Sequence, residues 1–420
     1  MNILYISQYY PPEVAAGAVR VSELARAWVK AGNKVTVLTG FPNHPTGVVH
    51  PDYKRRIRRL FFREEVQGVD VVRTWLMPLP NRKSRERIIN YGSFAFSAGW
   101  RGLFMHRPHV VIATSPPLTV GLTGWWLSKA KRAPFVFEVR DLWPESITAV
   151  GMGKSTSPFM RALARMALFL YRSADQVVAV TPAIRDEIVK KSGIPEDRAS
   201  VVLNGVDVDL FSPSANGNRQ VKKALGLDGK FVVSYIGTLG AAHGLMTMLE
   251  AAKALQPQFP QIEFLLVGEG ADKANLVHST TQMGLNNVRF LPLQPREKIP
   301  DIARASDVCL VLLRKADVFT TVLPTKMLEF MASGRAVVLG VDGQARKILE
   351  DAGGGLSVQP ENVSELVQAI VRLHQDPALC SAMGFRGRNY VETHLSRAQT
   401  ADEYLSLLEK VVDKRLSIRR

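Results

Sequence analysis

The chain has 420 residues, enough for two or three domains and a sizeable core. It is 46% hydrophobic and 22% charged, ordinary for a soluble globular protein, and its two cysteines exclude a disulfide framework, so a reducing cytosol is expected. The net charge of +16 implies attraction to polyanions such as nucleic acid, anionic lipid or phosphorylated substrates, without choosing among them.

Met1-Asn2-Ile3-Leu4-Tyr5-Ile6 opens a strand with no basic leader. Strands and helices then alternate. Strands are expected at 3–7, 34–39, 69–74, 110–114, 135–138 and 177–180, with an amphipathic helix at 20–31 and helical patterns between most of the others. The pattern pauses at Asn204-Gly-Val-Asp207 and the polar stretch 214–220, which reads as a link between domains. It restarts with strands at 231–236, 262–267, 288–291, 307–312 and 336–340. Helices are expected near 245–256, 270–283, 297–305, 324–332, 363–375 and 397–413. Such alternation argues an α/β chain of two doubly wound parallel sheets, with ligands beyond the carboxyl ends of the strands. Two such domains face to face would make a central cleft. The uncharged runs 110–127 and 231–249 are long enough to raise the question of a membrane span. Pro116-Pro117 and the glycines from Gly237 to Gly244 break them into strand, turn and helix.

Residues 54–63 interleave cations with apolar side chains, 82–87 add more cations, and 91–105 adds Phe94, Phe96, Trp100, Leu103 and Phe104. Two readings stand side by side: solvated loops with one core helix, or a basic, aromatic-edged surface on an anionic membrane leaflet.

The chemistry concentrates at 319–334. Pro324 suits the first turn of a helix, and Gly334 a left-handed stop. Lys326 and Glu329 are three residues apart and share a face near the helix start. Unpaired helix amides and Lys326 suit a phosphate, and Glu329 suits a pair of sugar hydroxyls. A base-sugar-diphosphate would fit, whereas the bland alternative is a surface Lys–Glu pair.

The glycines at 237, 240 and 244 and those at 268 and 270 lack the dinucleotide spacing, but bring backbone close at strand ends. Asp207-x-Asp209 reads as a turn rather than a chelate, and with scattered histidines no metal is expected. Arg140-Asp-Leu-Trp-Pro-Glu145 follows a strand, which places Asp141 for proton transfer or sugar binding and Trp143 for stacking. The loop from Pro11 to Arg20 contains Gly17, whose backbone a phosphate or sugar could approach.

In their order and spacing these pieces resemble the retaining GT-B glycosyltransferases of family 4 over nearly the whole chain. They are the Pro-Pro-Glu loop ending at Gly17, Arg140 to Glu145, Asn204 to Asp207 with Phe211 and Pro213, Gly237 to Gly244, Val267 to Gly270 and Leu323 to Ala332. The resemblance runs to the bacterial polysaccharide-assembly subgroup that includes N-acetyl-L-fucosaminyl (L-fucosamine) transferases. It implies two Rossmann-like domains about a cleft: an acceptor domain over 1–208, rejoined by a last helix at about 395–420, and a donor domain over 209–394. It makes Glu329 the second Glu of the family's Glu-x7-Glu, holding the ribose. The first Glu is replaced by Thr321, at the usual contact to the transferred sugar. Thr238 and His243 stand where the family often has Arg and Lys for the diphosphate, so Lys326 takes more of that charge. His243 either assists or packs.

Gly17, Gly237, Thr238, His243, Gly268, Thr321, Lys326 and Glu329 are therefore the expected donor-site residues, and Asp141, Lys326 and Glu329 the catalytic ones. The implied reaction moves an acetamido sugar from UDP to a polyprenyl-diphosphate-linked glycan, with retention and with neither metal nor cofactor. That reaction belongs to O-antigen, capsule or exopolysaccharide synthesis, on the inner face of the bacterial plasma membrane. The rivals are a GT-B-fold UDP-HexNAc 2-epimerase, a starch- or sucrose-type transferase of the same family, and a basic nucleic-acid-binding protein. The last does not explain Lys326 with Glu329.

Overall fold

The computed structural model describes residues 1–13, 15–44, 46–80, 84–149, 156–213 and 217–417. Arg82 and Lys83 of the basic stretch, and 214–216 of the link, lie outside the described residues. Contacts divide the chain into residues 1–203 with 398–420, and residues 204–397.

In the first unit the short apolar runs become strands, and the amphipathic stretches between them become helices. In chain order it holds β1 (Asn2–Ile6), α1 (Ala16–Lys30), β2 (Lys34–Gly40), β3 (Phe61–Val66), β4 (Val69–Thr74) and α2 (Ser84–Leu103). There follow β5 (Val110–Ser115), α3 (Leu118–Lys131), β6 (Phe135–Val139), α4 (Glu145–Ala149), α5 (Pro158–Ser173), β7 (Gln176–Ala179), α6 (Pro182–Ser192) and β8 (Ala199–Val201). The sheet order is β3-β4-β2-β1-β5-β6-β7-β8, parallel except for the antiparallel pair β3/β4. Alternate residues of each strand face opposite layers. Leu4, Ile6 and Leu38 join Phe94 and Ala98 of α2 in one core. Ile3, Tyr5 and Val37 join Trp28 of α1 and Tyr404 in the other. Local signals set the helix ends. Thr181 caps α6 by accepting from the Ile184 amide at 3.2 Å, Pro182 follows, and Gly193 ends it at φ 67°.

The second unit holds α7 (Gly217–Ala224), β9 (Phe231–Ile236), α8 (Met246–Leu255), β10 (Ile262–Val267), α9 (Lys273–Gln282), β11 (Val288–Leu291) and α10 (Ile299–Ala305). Then come β12 (Val308–Leu312), α11 (Thr325–Ala332), β13 (Ala336–Gly340), α12 (Gln344–Ala352), β14 (Gly355–Ser357), α13 (Val363–Gln375) and α14 (Pro377–His394). Its six strands are all parallel, in the order β11-β10-β9-β12-β13-β14. The final helix, α15 (Arg397–Ser417), packs in the first unit, where the Trp28 indole N–H donates to the Ala401 carbonyl at 2.9 Å.

The structure departs from the sequence reading in several places. The cation-rich stretch 54–63 runs into β3, an edge strand whose side chains alternate between exposed and half-buried. Residues 204–208 belong to the second unit, because Val206 exchanges backbone hydrogen bonds with Leu395 and Arg397 at 2.9 and 2.8 Å. Helices α12 and α14 were not expected. Both apolar uncharged runs are strand, turn and helix, and among the described residues no helix is long and apolar enough to cross a membrane.

Candidate active site

In the second unit the site grows from two strand ends. β9 leaves the sheet through Gly237 at φ 146° and β10 through Gly268 at φ 145°, a backbone region that side chains disfavour. The two loops lie backbone to backbone. The Gly237 amide donates to the Val267 carbonyl at 2.9 Å, and the Leu239 amide to the Glu269 carbonyl at 3.0 Å. A β-carbon on Gly268 would stand 2.0 Å from the Gly237 oxygen. The glycines therefore serve close backbone approach at the strand ends.

A third segment closes on them. α11 begins at Thr325, with Pro324 as its N-cap at ψ 119° rather than as its first helical residue. Proline has no side-chain acceptor, so no side chain caps this helix. A partial positive charge is left at its start. One residue further in, the Lys326 ammonium lies against Gly237, where a β-carbon would come within 2.8 Å of Nζ. Nζ donates to the Tyr235 hydroxyl at 2.7 Å and sits 3.9 Å from that ring's centroid. The Tyr235 hydroxyl in turn donates to the Thr238 carbonyl at 2.8 Å. Burial pushes the Lys326 pKa from 10.5 down to about 7, against the pull of Glu329. Here is a cation held beside an uncapped helix start, short of the charge that would stabilise it.

His243 closes a single 3-10 turn, Ala241–His243, with its ring 5.8 Å from that of Tyr235. Burial and the nearby Lys326 charge hold its pKa at about 3, so the imidazole is neutral at neutral pH. Its Nδ1 is 3.2 Å from the Gly240 carbonyl oxygen. In the tautomer that donates there, the other nitrogen is an acceptor and offers an anion no proton.

Glu329 is buried in α11, and its Oε1 accepts from Arg296 Nη1 at 2.8 Å. The Arg296 guanidinium also lies 5.3 Å from the Phe211 ring centroid. Thr321 ends the 3-10 turn Asp317–Thr321, its hydroxyl donating to the Val318 carbonyl at 2.8 Å. Asp207 accepts from the Leu210 amide at 3.0 Å, as a turn residue does. Gly237, Thr238, His243, Gly268 and Lys326 are thus gathered at one end of the sheet, with Glu329 on the same helix as Lys326.

In the first unit Gly17 and the Arg140 loop meet. A β-carbon on Gly17 would stand 2.1 Å from Arg140 Nη1, so the space that the glycine leaves is taken by the guanidinium. Arg140 also donates to the Thr114 hydroxyl at 2.9 Å and the Pro116 carbonyl at 3.2 Å. The Thr114 hydroxyl in turn donates to Glu138 Oε1 at 2.8 Å. Tyr5 donates to the same oxygen at 3.0 Å, and Arg20 to Oε2 at 3.1 Å. Arg20 and the pairing hydroxyls hold the Glu138 pKa low despite complete burial. Asp141, next to Arg140, has its pKa raised by burial, with Arg140 opposing. Glu13 ties the first strand-end loop to the second, accepting from the His44 and Asn43 amides at 2.8 and 3.0 Å. Burial raises its pKa from 4.5 to about 7.

Sequence reasoning missed Tyr235, Arg296, and the Glu138–Arg20 pair. Tyr235 looks like one more apolar strand residue. Arg296 is 33 residues from its partner in a loop with no spacing signal. Glu138 carried a signal, a carboxylate inside an apolar strand, which demands a buried partner.

Residues 16–205 match the family model described as "Glycosyl transferase 4-like domain", and residues 218–390 match "Glycosyl transferases group 1". The chain is a GT-B glycosyltransferase built of these two domains. WcaI of Escherichia coli (strain K12), a glycosyl transferase named for colanic acid biosynthesis, is 26% identical over 97% of this chain and 99% of its own. Among solved structures, Anabaena HepE in complex with UDP-glucose has a TM-score of 0.74 at 17% identity, covering 97% of this chain and 99% of that one. WaaG, a glycosyltransferase involved in lipopolysaccharide biosynthesis, has a TM-score of 0.71 at 13% identity, over 97% and 99%. The two sheets place this glycosyltransferase in the same fold.

Proposed function

We propose that the second unit binds a UDP-sugar with its diphosphate against Lys326 and the start of α11, and its ribose on Glu329. The observation that carries this reading is the desolvated Lys326 ammonium, held against Gly237 beside an uncapped helix start. A dianionic diphosphate supplies the charge that site lacks. The UDP-glucose complex of HepE supports a uridine nucleotide. Glu329 reaches the ribose hydroxyls only by sharing or releasing Arg296, so Arg296 sets how that carboxylate is presented.

In the reaction, the bond between the anomeric carbon and the β-phosphate oxygen breaks. Lys326 and the helix amides stabilise the departing charge. The acceptor hydroxyl attacks from the face that the diphosphate leaves, and its proton passes to the departing phosphate oxygen. Configuration is retained, and the proposal assigns no metal. His243, neutral and already bonded to Gly240, adds packing rather than charge. Asp141, in the first unit, is assigned to the acceptor hydroxyl. The likeness to WcaI and WaaG supports a glycan acceptor in surface-polysaccharide synthesis. We assign a polyprenyl-diphosphate carrier for it, an acetamido sugar as the group moved, and a place on the cytoplasmic face of the membrane.

The test is a thermal-shift panel of UDP-, GDP- and dTDP-sugars on the full chain. A ligand that binds only the folded state raises the melting point. UDP-sugars alone should do so. A preference for another nucleotide refutes the donor assignment, and consumption of donor with no acceptor present points to an epimerase.

A further inference from the structure

Helix α2 carries two faces of opposite character. Toward the sheet, Phe94 and Ala98 are buried in the core, and Asn90 joins a polar network. Its side chain accepts from Gln8 at 2.7 Å and donates to Asn43 at 3.2 Å, in the two strand-end loops that Glu13 also ties. One residue on, Tyr91 has its ring 6.4 Å from that of Trp143, in the loop of Arg140 and Asp141.

The outward face is a stripe at helical spacing, where a solvent-exposed helix ordinarily carries polar residues. Here it holds Ile88, Ile89, Phe96 and Trp100, continued by Phe104 just past the helix. Phe96 is 77% exposed, Trp100 61% and Phe104 66%. No charged residue falls on the stripe between Ile88 and Phe104. Leu60, 76% exposed, and Phe61 add to the apolar surface at β3, and Arg101 reaches from α2 to lie 4.2 Å from the Phe61 ring centroid. The same stretch of chain carries exposed cations, among them Lys54, Arg55, Arg58, Arg59, Arg85 and Arg107. Residues 53–109 contain 13 Lys and Arg against four Asp and Glu, which is more than half of the net +16 of the chain.

We infer that α2 lies in the interface of an anionic bilayer, with the stripe through Phe96 and Trp100 inserted and the exposed cations of this stretch on lipid phosphates. An apolar stripe flanked by cations is what such a surface selects. A second copy of the chain is a poorer occupant. A two-fold contact sets a patch against itself, and this one would bring its arginines together. The inference rests on the acceptor reading only for its purpose: the opposite face of the same helix carries Tyr91 to Trp143 of the Asp141 loop. A lipid-linked acceptor would then meet the site along one helix.

The experiment is sedimentation of the full chain with phosphatidylglycerol-containing vesicles and with pure phosphatidylcholine vesicles, for the wild type and for F96E/W100E. UDP affinity and oligomeric state are measured on the same preparations. The wild type should bind the anionic vesicles at least about tenfold more tightly than the zwitterionic ones, and less tightly in high salt. The double variant should lose at least about tenfold in vesicle affinity while keeping its UDP affinity and melting point, since neither side chain packs in the core. Equal vesicle binding by both proteins overturns the inference. So does a wild-type dimer that the substitutions convert to monomer, which assigns the stripe to a second copy. Vesicle binding without UDP binding refutes the donor reading and leaves this one standing.

Discussion

The two units present opposite chemistry at their strand ends. The first is organised by carboxylates: Glu138, buried and fully paired, and Glu13, buried among backbone amides. The second is organised by a cation, Lys326, bonded among the described residues to a tyrosine hydroxyl that also bonds a neighbouring carbonyl, with Glu329 one turn along. A carboxylate satisfied inside the protein holds loops in place. A desolvated ammonium that lacks a full counter-charge costs stability and is retained for a ligand. The first arrangement is therefore structural around Asp141, and the second has the chemistry that the proposed diphosphate site needs.

Glu138→Ala is the sharpest way to break that contrast. It leaves Arg20 buried without its carboxylate partner, bonded to the Val202 and Leu203 carbonyls, and should cost about 3–5 kcal/mol. A urea titration of the first unit's transition should show this with UDP affinity unchanged in whatever protein remains folded. Lys326→Ala should do the reverse. UDP affinity falls about 100-fold, as expected for lost charge-assisted hydrogen bonds, and stability at neutral pH does not fall. Unchanged affinity in isothermal titration would sink the donor site. Glu329→Gln keeps the shape and removes the charge, so the donor KM should rise about tenfold with kcat less affected. Equal losses in both would move Glu329 from binding to chemistry.

The smallest effects are in pH dependence, and they run in opposite windows. Glu13 has a folded pKa of about 7 against an ordinary 4.5, so its stabilising contribution is complete below 4.5 and is lost as pH rises to 7. Lys326 has a folded pKa of about 7 against 10.5, so its contribution is complete above 10.5 and is lost as pH falls toward 7. Glu13→Gln should flatten stability against pH on the acid side only, and Lys326→Met on the alkaline side only. Melting points across pH check both. The same slope in both variants would dissolve the distinction.

The second unit was the more legible in sequence. Its strands are parallel, and the central ones, β9, β10, β12 and β13, are buried on both faces and read as near-continuous apolar runs; with β11, five fall at or within a residue of where the pattern puts them. β3 escaped because an antiparallel edge strand carries Arg63, Glu64 and Glu65 and reads as a charged loop. β8 and β14, at three residues each, are too short for periodicity to register. In the site, Lys326 and Glu329 were visible because one helix sets their spacing. Tyr235, Arg296 and the Arg140–Gly17 contact were not, because each depends on which loops the sheet order brings together. The aromatic run 91–105 was half legible: Phe94 is core, while Phe96, Trp100 and Phe104 are surface.

The most direct measurement of the central claim is proton uptake on UDP binding. At pH 8.5 the ammonium of unliganded Lys326 has mostly given up its proton, given a pKa of about 7, and UDP is fully ionised. A diphosphate seated on Lys326 must recharge it, so calorimetry in buffers of different ionisation heat should report uptake approaching about one proton per UDP, absent in Lys326→Met. Binding heats that do not depend on the buffer, or the same uptake in both proteins, would place the diphosphate elsewhere.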